Sequence, residues 1–147
     1  FKDIEKKLGP EPLDITGKQF FLMIAKRPKA KIKTLLMDQK FIAGIGNIYA
    51  DEILFASRIH PLRLVGDFQP QEIILLLGQT KKILTAAIKA GGSSTSDYLD
   101  AFGQKGAYGR QHKVYQKTGL PCKVCQTPIK RIKLGGRSAH YCPKCQK

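Results

Sequence analysis

Apolar residues recur at helical spacing along the first two thirds of the chain, and this pattern predicts four helices. The first starts at a Thr16 cap and stops before Pro28, and a short second helix follows. The third runs to about Ser57, and the fourth, a long amphipathic helix, from Pro70 to about Ala90. The residues predicted to face the core of the first, second and fourth helices are Phe20, Phe21, Met23 and Ile24; Leu35, Leu36 and Met37; and Ile73, Leu76, Leu77, Leu84, Ala87 and Ile88.

A different pattern near the end of the chain predicts two short strands, at 129–134 and 138–141. Gly135-Gly136 joins them in a tight turn, which places Arg137 at or beside the tip of a hairpin. An arginine on a stiff tip can clamp a phosphate or enter a groove at small entropic cost. The alternative is a solvated tip residue with no partner.

Four cysteines, the only ones in the chain, flank this hairpin as two Cys-x-x-Cys pairs, Cys122/Cys125 and Cys142/Cys145. Sixteen residues separate the pairs, a spacing typical of a four-sulfur zinc site. Two disulfides or unrelated thiols are the alternatives, and the pairing, the glycine turn and the lack of a secretory signal disfavour them. We predict one structural zinc ion in a reducing compartment. His140 lies close to Cys142, but four thiolates fill the site, so we expect a packing or strand role for it.

The charge balance points to a polyanionic partner. Lys and Arg number 26 against 11 Asp and Glu, a formal net charge of +15. No apolar run approaches the ~20 residues of a membrane span, so nucleic acid is favoured over an anionic membrane surface. No acidic residue follows Asp100, so the basic excess is concentrated on the last third of the chain.

Gly44 and Gly46 precede Asn47, which is a good cap for the third helix. A glycine turn that opens a helix presents free N–H groups, with the positive end of the helix dipole behind them, to a phosphate. A plain turn between two packed helices explains the same residues equally well. Lys29, Lys31 and Lys33, just upstream, are as consistent with a solvated face as with binding.

Residues 91–110 are rich in glycine and serine and predict a long loop. Loops of this length in compact domains often bind something, although plain flexibility accounts for the composition equally well. At the other end, Pro10 and Pro12 forbid a continuous helix and favour an extended entry. The chain begins at Phe1 rather than Met, so we expect an excised piece or a truncated form.

Taken together, these motifs resemble the C-terminal half of bacterial formamidopyrimidine-DNA glycosylase, over essentially all 147 residues. The resemblance implies a mainly α fold in which a helix–two-turn–helix DNA-binding domain at 14–116 precedes a small zinc-bound β-hairpin, the zinc finger, at 117–147. Residues 1–13 would be the linker from a missing N-terminal catalytic domain of the same protein. The matching stretches are Leu8–Leu13, Lys33 with Leu35–Asp38, Gly44–Glu52, His60-Pro61, Gly91–Ser94 and Gly136–Gln146.

In that family the turn asparagine and the lysine before it grip the phosphates around the damaged nucleotide, which implies these roles for Asn47 and Lys33. The hairpin arginine, here Arg137, contacts the same phosphates and is an assisting proton donor in the final elimination. The expected DNA contacts are Lys29, Lys33, Gly46, Asn47, Tyr49 and Arg137. The expected lesion loop, at about 91–110, includes Ser93, Ser94, Thr95, Ser96, Asp97 and Tyr98.

The sequence departs from the family in two respects. The proline nucleophile and the glutamate that follows it are absent from these 147 residues, so we expect the chain to bind damaged DNA without excising bases. Related loops also often carry Arg or Lys where Ser96 stands and a less acidic residue than Asp97. Because this loop reads the flipped base, the difference bears on base preference.

We therefore expect a monomeric DNA-binding portion of a base-excision-repair glycosylase and abasic-site lyase that acts on 8-oxoguanine and formamidopyrimidine. Its partner would be double-stranded DNA with an oxidised base or an abasic site, in a bacterial cytoplasm and associated with the nucleoid. One alternative is a stand-alone zinc-ribbon module that binds nucleic acid. Another is an endonuclease-VIII-like fragment for oxidised pyrimidines, which the length of the loop disfavours.

Overall fold

The computed structural model describes residues 8–89 and 112–147 of the chain. Four helices precede a two-stranded antiparallel sheet, so the predicted mainly α fold with a terminal hairpin is confirmed. Short 3-10 turns at Pro12–Asp14 and Val65–Asp67 precede the first and last helices. The elements are α1 Gly17–Ala25, α2 Ile32–Leu36, α3 Asn47–Ala56, α4 Pro70–Lys89, β1 Lys130–Leu134 and β2 Arg137–Tyr141.

Helix α1 begins at the predicted cap, because Thr16 and Gln19 bond to each other. The Thr16 hydroxyl accepts from the Gln19 backbone N–H at 3.1 Å, and the Gln19 side-chain oxygen accepts from the Thr16 N–H at 2.9 Å. Phe20 and Ile24, four residues apart, share the buried face. Phe21 is 45% exposed, so its predicted place in the core is wrong. It lies about 100° around the helix from Phe20.

Helix α3 follows the predicted glycine turn, in which Gly44 has a φ of +88°. Its cap is Gly46, whose backbone is extended, and Asn47 is the first helical residue. The prediction of Asn47 as the cap is therefore wrong by one position. Most of the helix is buried, because the other helices cover one side and the hairpin the other. Its buried residues are Ala50, Asp51, Glu52, Ile53, Leu54 and Phe55.

Helix α4 runs to Lys89 and supplies the other large apolar face. Ile73, Leu76, Leu77 and Ala87 are buried as predicted, and Leu84 packs against the core while staying partly exposed. Ile88 is 67% exposed and lines an open cleft with Leu13, so its predicted core position is wrong. No described element covers that side of the last helical turn.

The hairpin pairs Lys130 with Tyr141 at its base and Leu134 with Arg137 at its tip. Gly135 and Gly136 form the turn with φ of +56° and +80°, the left-handed angles that a tight hairpin connection needs. Strand β1 starts one residue later than predicted and β2 one residue earlier, and both strands end where predicted. The predicted loop at 91–110 lies outside the described residues. Within the described ranges, no helix has the length and apolar content to cross a membrane.

Two apolar clusters organise these elements. The helical body, residues 8–89, has a continuous core to which all four helices contribute, and Phe20, Leu36, Leu54 and Leu76 are among its fully buried members. The second cluster is smaller and joins Phe55 of α3 to the cysteine-bearing end of the chain. Its members are Phe55, Val114, Cys122, Ile129 and Cys142, with Cys125 and Cys145 packed against them.

Candidate metal centre and nucleic-acid interface

The four cysteines converge on one point at the base of the hairpin, and their sulfur atoms all lie within 4.8 Å of one another. The Sγ atoms of Cys122 and Cys145 are 3.8 Å apart, and those of Cys125 and Cys142 are 3.4 Å apart. A tetrahedral zinc ion with Zn–S bonds of about 2.3 Å requires sulfur separations of about 3.8 Å. The donor set therefore fits one four-thiolate structural zinc, as the sequence predicts, and offers no open position for catalysis.

Hydrogen bonds within and beside the two Cys-x-x-Cys pairs prepare the sulfur atoms for a metal ion. The backbone N–H of Val124 donates to Cys122 Sγ at 3.4 Å, and that of Cys145 donates to Cys142 Sγ at 3.3 Å. The Thr127 hydroxyl lies 3.3 Å from Cys125 Sγ, and bonding to it lowers the pKa of the Cys125 thiol to about 6. Burial raises the pKa of Cys145 to about 12, so a metal ion must displace that proton.

The start of α3 has the features of an anion site. Gly46 provides no side-chain cap, so the first N–H groups of the helix lack that partner. Asn47 is the first helical residue, and its Nδ2 group is the donor that its side chain could offer to an anion, because its Oδ1 atom, buried and without a partner among the described residues, can only accept. Gln39 holds the preceding turn, because its side chain accepts from the Gly44 N–H at 2.8 Å and donates to the Ile45 carbonyl at 3.1 Å. Sequence reasoning did not identify Gln39.

The other predicted DNA contacts lie in contrasting environments. Lys29 is exposed in the connection between α1 and α2, and Tyr49 is half-buried in the first turn of α3. Arg137 is exposed beside the hairpin tip, as predicted.

Lys33 is an exception, because only 1% of it is exposed. Its ammonium group lies 2.7 Å from Asp51 Oδ1 and donates to the Ser138 carbonyl at 2.7 Å. Desolvation lowers the pKa of Lys33, the Asp51 carboxylate opposes that shift, and the positive charge of Arg137 adds to it. The lysine expected to grip phosphate therefore lies in the interior, between α3 and the hairpin.

Two neighbouring carboxylates of α3 fasten the rest of the chain to the helical body, and sequence reasoning missed both. Asp51 accepts from the His140 backbone N–H at 3.0 Å, and the same oxygen lies 2.9 Å from the His140 ring Nδ1. The expected strand role of His140, rather than metal ligation, fits this contact. Glu52 accepts three backbone N–H groups, from Lys113, Val114 and Tyr115, at 2.8–2.9 Å.

Another set of polar contacts joins the cysteine-bearing end of the chain to the helical body. Gln146 accepts from the Cys142 N–H at 2.7 Å and donates to the Ile59 carbonyl at 2.9 Å. Beside it, the Lys147 N–H donates to the Arg58 carbonyl at 3.2 Å. His60 stacks edge-on against Tyr141, with ring centroids 4.6 Å apart. The base of the hairpin is thus seated on the turn that follows α3.

Comparison with known proteins agrees with this geometry. Residues 8–98 match the H2TH domain of formamidopyrimidine-DNA glycosylase, and residues 119–147 match a zinc finger found in that enzyme and in IleRS. The chain is 49% identical over 141 residues to a formamidopyrimidine-DNA glycosylase of Solibacter usitatus, covering 96% of this chain and 53% of that protein. One from Listeria innocua is 49% identical over 144 residues, covering 97% and 52%.

Solved structures give the same result. A Lactococcus lactis Fpg in complex with DNA containing an abasic site superposes with a TM-score of 0.89 at 41% identity, covering 99% of this chain and 54% of that one. MutM (Fpg) of Thermus thermophilus gives 0.87 at 39% identity, covering 95% and 54%. The chain spans about half the length of the curated relatives that it matches. Across the described body and hairpin, sequence and fold agree: this chain belongs to the formamidopyrimidine-DNA glycosylase family.

Proposed function

We propose that these 147 residues are the DNA-binding half of a glycosylase and abasic-site lyase for oxidised purines. The chain binds duplex DNA that carries an abasic site or an oxidised purine, as a monomer, and does not excise the base by itself. In the cell it acts in the cytoplasm, on the nucleoid. The observation that carries the proposal is the start of α3, which lacks a side-chain cap, so its first N–H groups and the Nδ2 group of Asn47 can donate to a phosphate.

Asn47 and Arg137 both border the buried Lys33–Asp51 pair. Asn47 precedes Asp51 by one turn of α3, about 6 Å along the helix axis. Arg137 immediately precedes Ser138, whose carbonyl accepts from Lys33. A phosphate can accept from the N–H groups of a helix start and from a guanidinium in a bidentate pair. These groups would therefore hold adjacent stretches of DNA backbone without reading base sequence.

The remaining roles rest on the resemblance to the family. Gly46 allows the backbone to approach the phosphate closely, Tyr49 borders the site from the first turn of α3, and exposed Lys29 adds long-range attraction. Arg137 would also assist the elimination step as a proton donor in a protein that carries the catalytic half. The lesion loop, from Ser93 to Tyr98, would read the flipped base.

The choice of damaged DNA is supported by what is bound to relatives. The Lactococcus lactis protein has been solved with DNA containing an abasic site and with DNA containing FAPY-dG. This chain is 41% and 40% identical to those two chains, and each superposition covers 99% of its length.

The test is a binding titration of the zinc-loaded chain against labelled duplexes containing a tetrahydrofuran abasic analogue, 8-oxoguanine or no lesion. We expect the abasic duplex to bind best, with affinity falling as salt rises by a log–log slope of about −0.9 per neutralised phosphate. Asn47→Ala should weaken binding to all three duplexes by about tenfold, because a phosphate contact carries no sequence information. Gln71→Ala, which removes an exposed amide from the first turn of α4, is the matched control and should bind like the parent chain.

The same duplexes separate the alternatives. A covalent adduct trapped by borohydride, together with efficient base release, would show that the chain is catalytic by itself. Preference for single-stranded or folded RNA over abasic duplex would favour a stand-alone zinc-ribbon module. Selective retention of a duplex with an oxidised pyrimidine would favour the endonuclease-VIII-like alternative.

A further inference from the structure

The zinc site fixes the base of the hairpin, but Arg137 lies at the other end of β2. Cys142, the nearest thiolate in sequence, lies five positions after Arg137. An extended strand rises about 3.4 Å per residue, so the arginine backbone lies roughly 17 Å from that metal ligand. A two-stranded hairpin is by itself only marginally stable in water. Metal binding alone therefore leaves the position of Arg137 weakly defined.

The Lys33–Asp51 pair holds β2 at two points closer to Arg137. The Lys33 ammonium donates to the carbonyl of Ser138, the next residue after Arg137. Asp51 accepts from the backbone N–H of His140 two residues further along. One side chain thus fastens a carbonyl of β2 and the other an N–H of the same strand.

The Lys33–Asp51 pair is buried, and its two charged groups contact each other. The exposed fractions of the Lys33 and Asp51 side chains are 1% and 0%, and the two are in direct contact at 2.7 Å. A buried ion pair often contributes little net stability, because the desolvation of both charges offsets their attraction. Its consequence for this fold is geometric: two backbone groups of β2 have fixed partners on α2 and α3.

The same contacts keep Lys33 away from DNA. An ammonium group has three donors, and Asp51 and the Ser138 carbonyl take two of them inside the protein. Because only 1% of Lys33 is exposed, its third donor is not presented at the surface, and a phosphate contact would require the side chain to move out and leave Asp51 as a buried charge without its cationic partner, which is strongly unfavourable. Arg137, in contrast, is exposed.

We propose that Lys33 and Asp51 are positioning residues. They fix the orientation of the hairpin arm, strands β1 and β2, on the helical body so that Arg137 meets the DNA phosphate, and they do not contact DNA themselves. Asn47 lies one turn from Asp51 on α3, so the pair also fixes Arg137 relative to the phosphate site at the start of that helix. The inference rests on the proposed function, in that the phosphate contact of Arg137 is part of it.

A double-mutant cycle between Lys33→Met and Arg137→Ala tests this on the zinc-loaded chain, with the abasic-analogue duplex as ligand. If Lys33 acts through Arg137, each single variant should lose about tenfold in affinity and the double variant should lose no more than Arg137→Ala alone, to within about twofold. In the Arg137→Ala background, Lys33→Met should also leave the slope of affinity against salt unchanged. If instead Lys33 grips its own phosphate, the losses add and the slope falls by about 0.9.

Lys82→Met is the matched control. Lys82 is exposed on α4 and lines a cleft with Phe55 and Ala56, near the end of α3 opposite Asn47. Lys82→Met removes the same charge from a cleft that also contains Val124 and Cys145, at the metal-binding end of the finger and away from the hairpin tip, and it should change affinity by less than about twofold. If Lys33→Met loses zinc or unfolds, Lys33→Met/Asp51→Asn replaces it in the cycle. This variant removes both buried charges and keeps an acceptor for the His140 N–H.

Hydrogen exchange of the β1 and β2 amides provides a readout without DNA. Lys33→Met should speed exchange near the hairpin tip by about tenfold, because the Ser138 anchor is lost, while amides next to the cysteines keep their protection. If the parent chain does not bind DNA, the proposed function fails, and exchange still decides whether Lys33 holds the arm. Unchanged exchange, or additive losses in the cycle, would overturn the inference.

Discussion

The helical body and the finger, residues 117–147, are held together in different ways. The body buries a continuous apolar core, to which every helix contributes isoleucine together with leucine or phenylalanine. The finger buries few large apolar side chains, and Cys122, Ile129 and Cys142 form its share of the second cluster. Apolar burial contributes about 25 cal/mol per Å², so the body has a large source of stability that the finger lacks.

The finger obtains its order from a metal and from one helix of the body. Four thiolates close the base of the finger. Asp51 of α3 holds strand β2, and Glu52 of α3 holds the junction segment, residues 112–116, which leads into the finger. The body should therefore fold without the finger more readily than the finger folds without the body.

Removing zinc should produce the largest difference in stability between the body and the finger. A four-thiolate zinc site in a small unit contributes about 10–16 kcal/mol of apparent binding free energy at pH 7, so the finger should unfold when a strong chelator takes the metal. We expect the α-helical circular dichroism signal to stay nearly constant, because the helices share a core of their own and only Phe55 of α3 packs in the cluster that contains the cysteines. DNA binding should be lost in parallel, because Arg137 is no longer presented.

Restoring zinc is the control and should return both hairpin amide signals and DNA affinity. If helix content collapses together with the finger, the two regions fold as one unit and the comparison fails.

Glu52→Ala should have the next largest effect on stability, because it removes a contact that joins the body to the junction segment. Three backbone N–H groups lose their acceptor: one on exposed Lys113, one on half-buried Tyr115 and one on fully buried Val114. An unsatisfied buried donor costs about 1–3 kcal/mol, so we expect a loss of about 4 kcal/mol in the free energy of unfolding, measured in urea with zinc in excess. Asp14→Ala, which removes an exposed carboxylate, should change it by less than about 0.5 kcal/mol.

The sequence predicts the local features of both regions well. The Thr16 cap, the glycine turn before α3, the two-glycine hairpin and the four thiolates each depend on residues a few positions apart, or on a spacing that only one ligand set satisfies. Errors within elements are small. Phe21 and Ile88 are apolar residues that the helical period alone places inward, and the arrangement of neighbouring elements leaves them exposed.

The contacts between the regions could not be predicted in this way. Asp51 bonds to His140, 89 residues away, and Glu52 bonds to Val114, 62 residues away, and no local pattern encodes such pairings. One signal was available: two consecutive acids lie between Ala50 and Ile53, within an otherwise apolar helix of a strongly basic chain. Charges on a buried helix face require partners, so Asp51-Glu52 indicated a docking site even where its partner could not be named.

The smallest effect should come from His112, at the start of the junction segment. Only 2% of this residue is exposed, and burial, reinforced by the charge of Lys117, lowers the pKa of His112 from 6.5 to about 4. A histidine with a lowered folded-state pKa binds its proton more readily in the unfolded chain. Its contribution to stability is therefore complete above pH 6.5 and is lost as the pH falls towards 4.

Between pH 7 and pH 5 this histidine should cost the folded state about 2 kcal/mol, and replacing it by His112→Gln should flatten the pH dependence of the free energy of unfolding by that amount. Urea titrations at pH 7, 6 and 5 with zinc in excess provide the measurement. Acid also weakens zinc binding, but it does so in both proteins, so the difference between them isolates the histidine. Parallel curves would mean that the junction is wet enough for His112 to titrate normally, and that the finger is held to the body less tightly than the contacts of Glu52 imply.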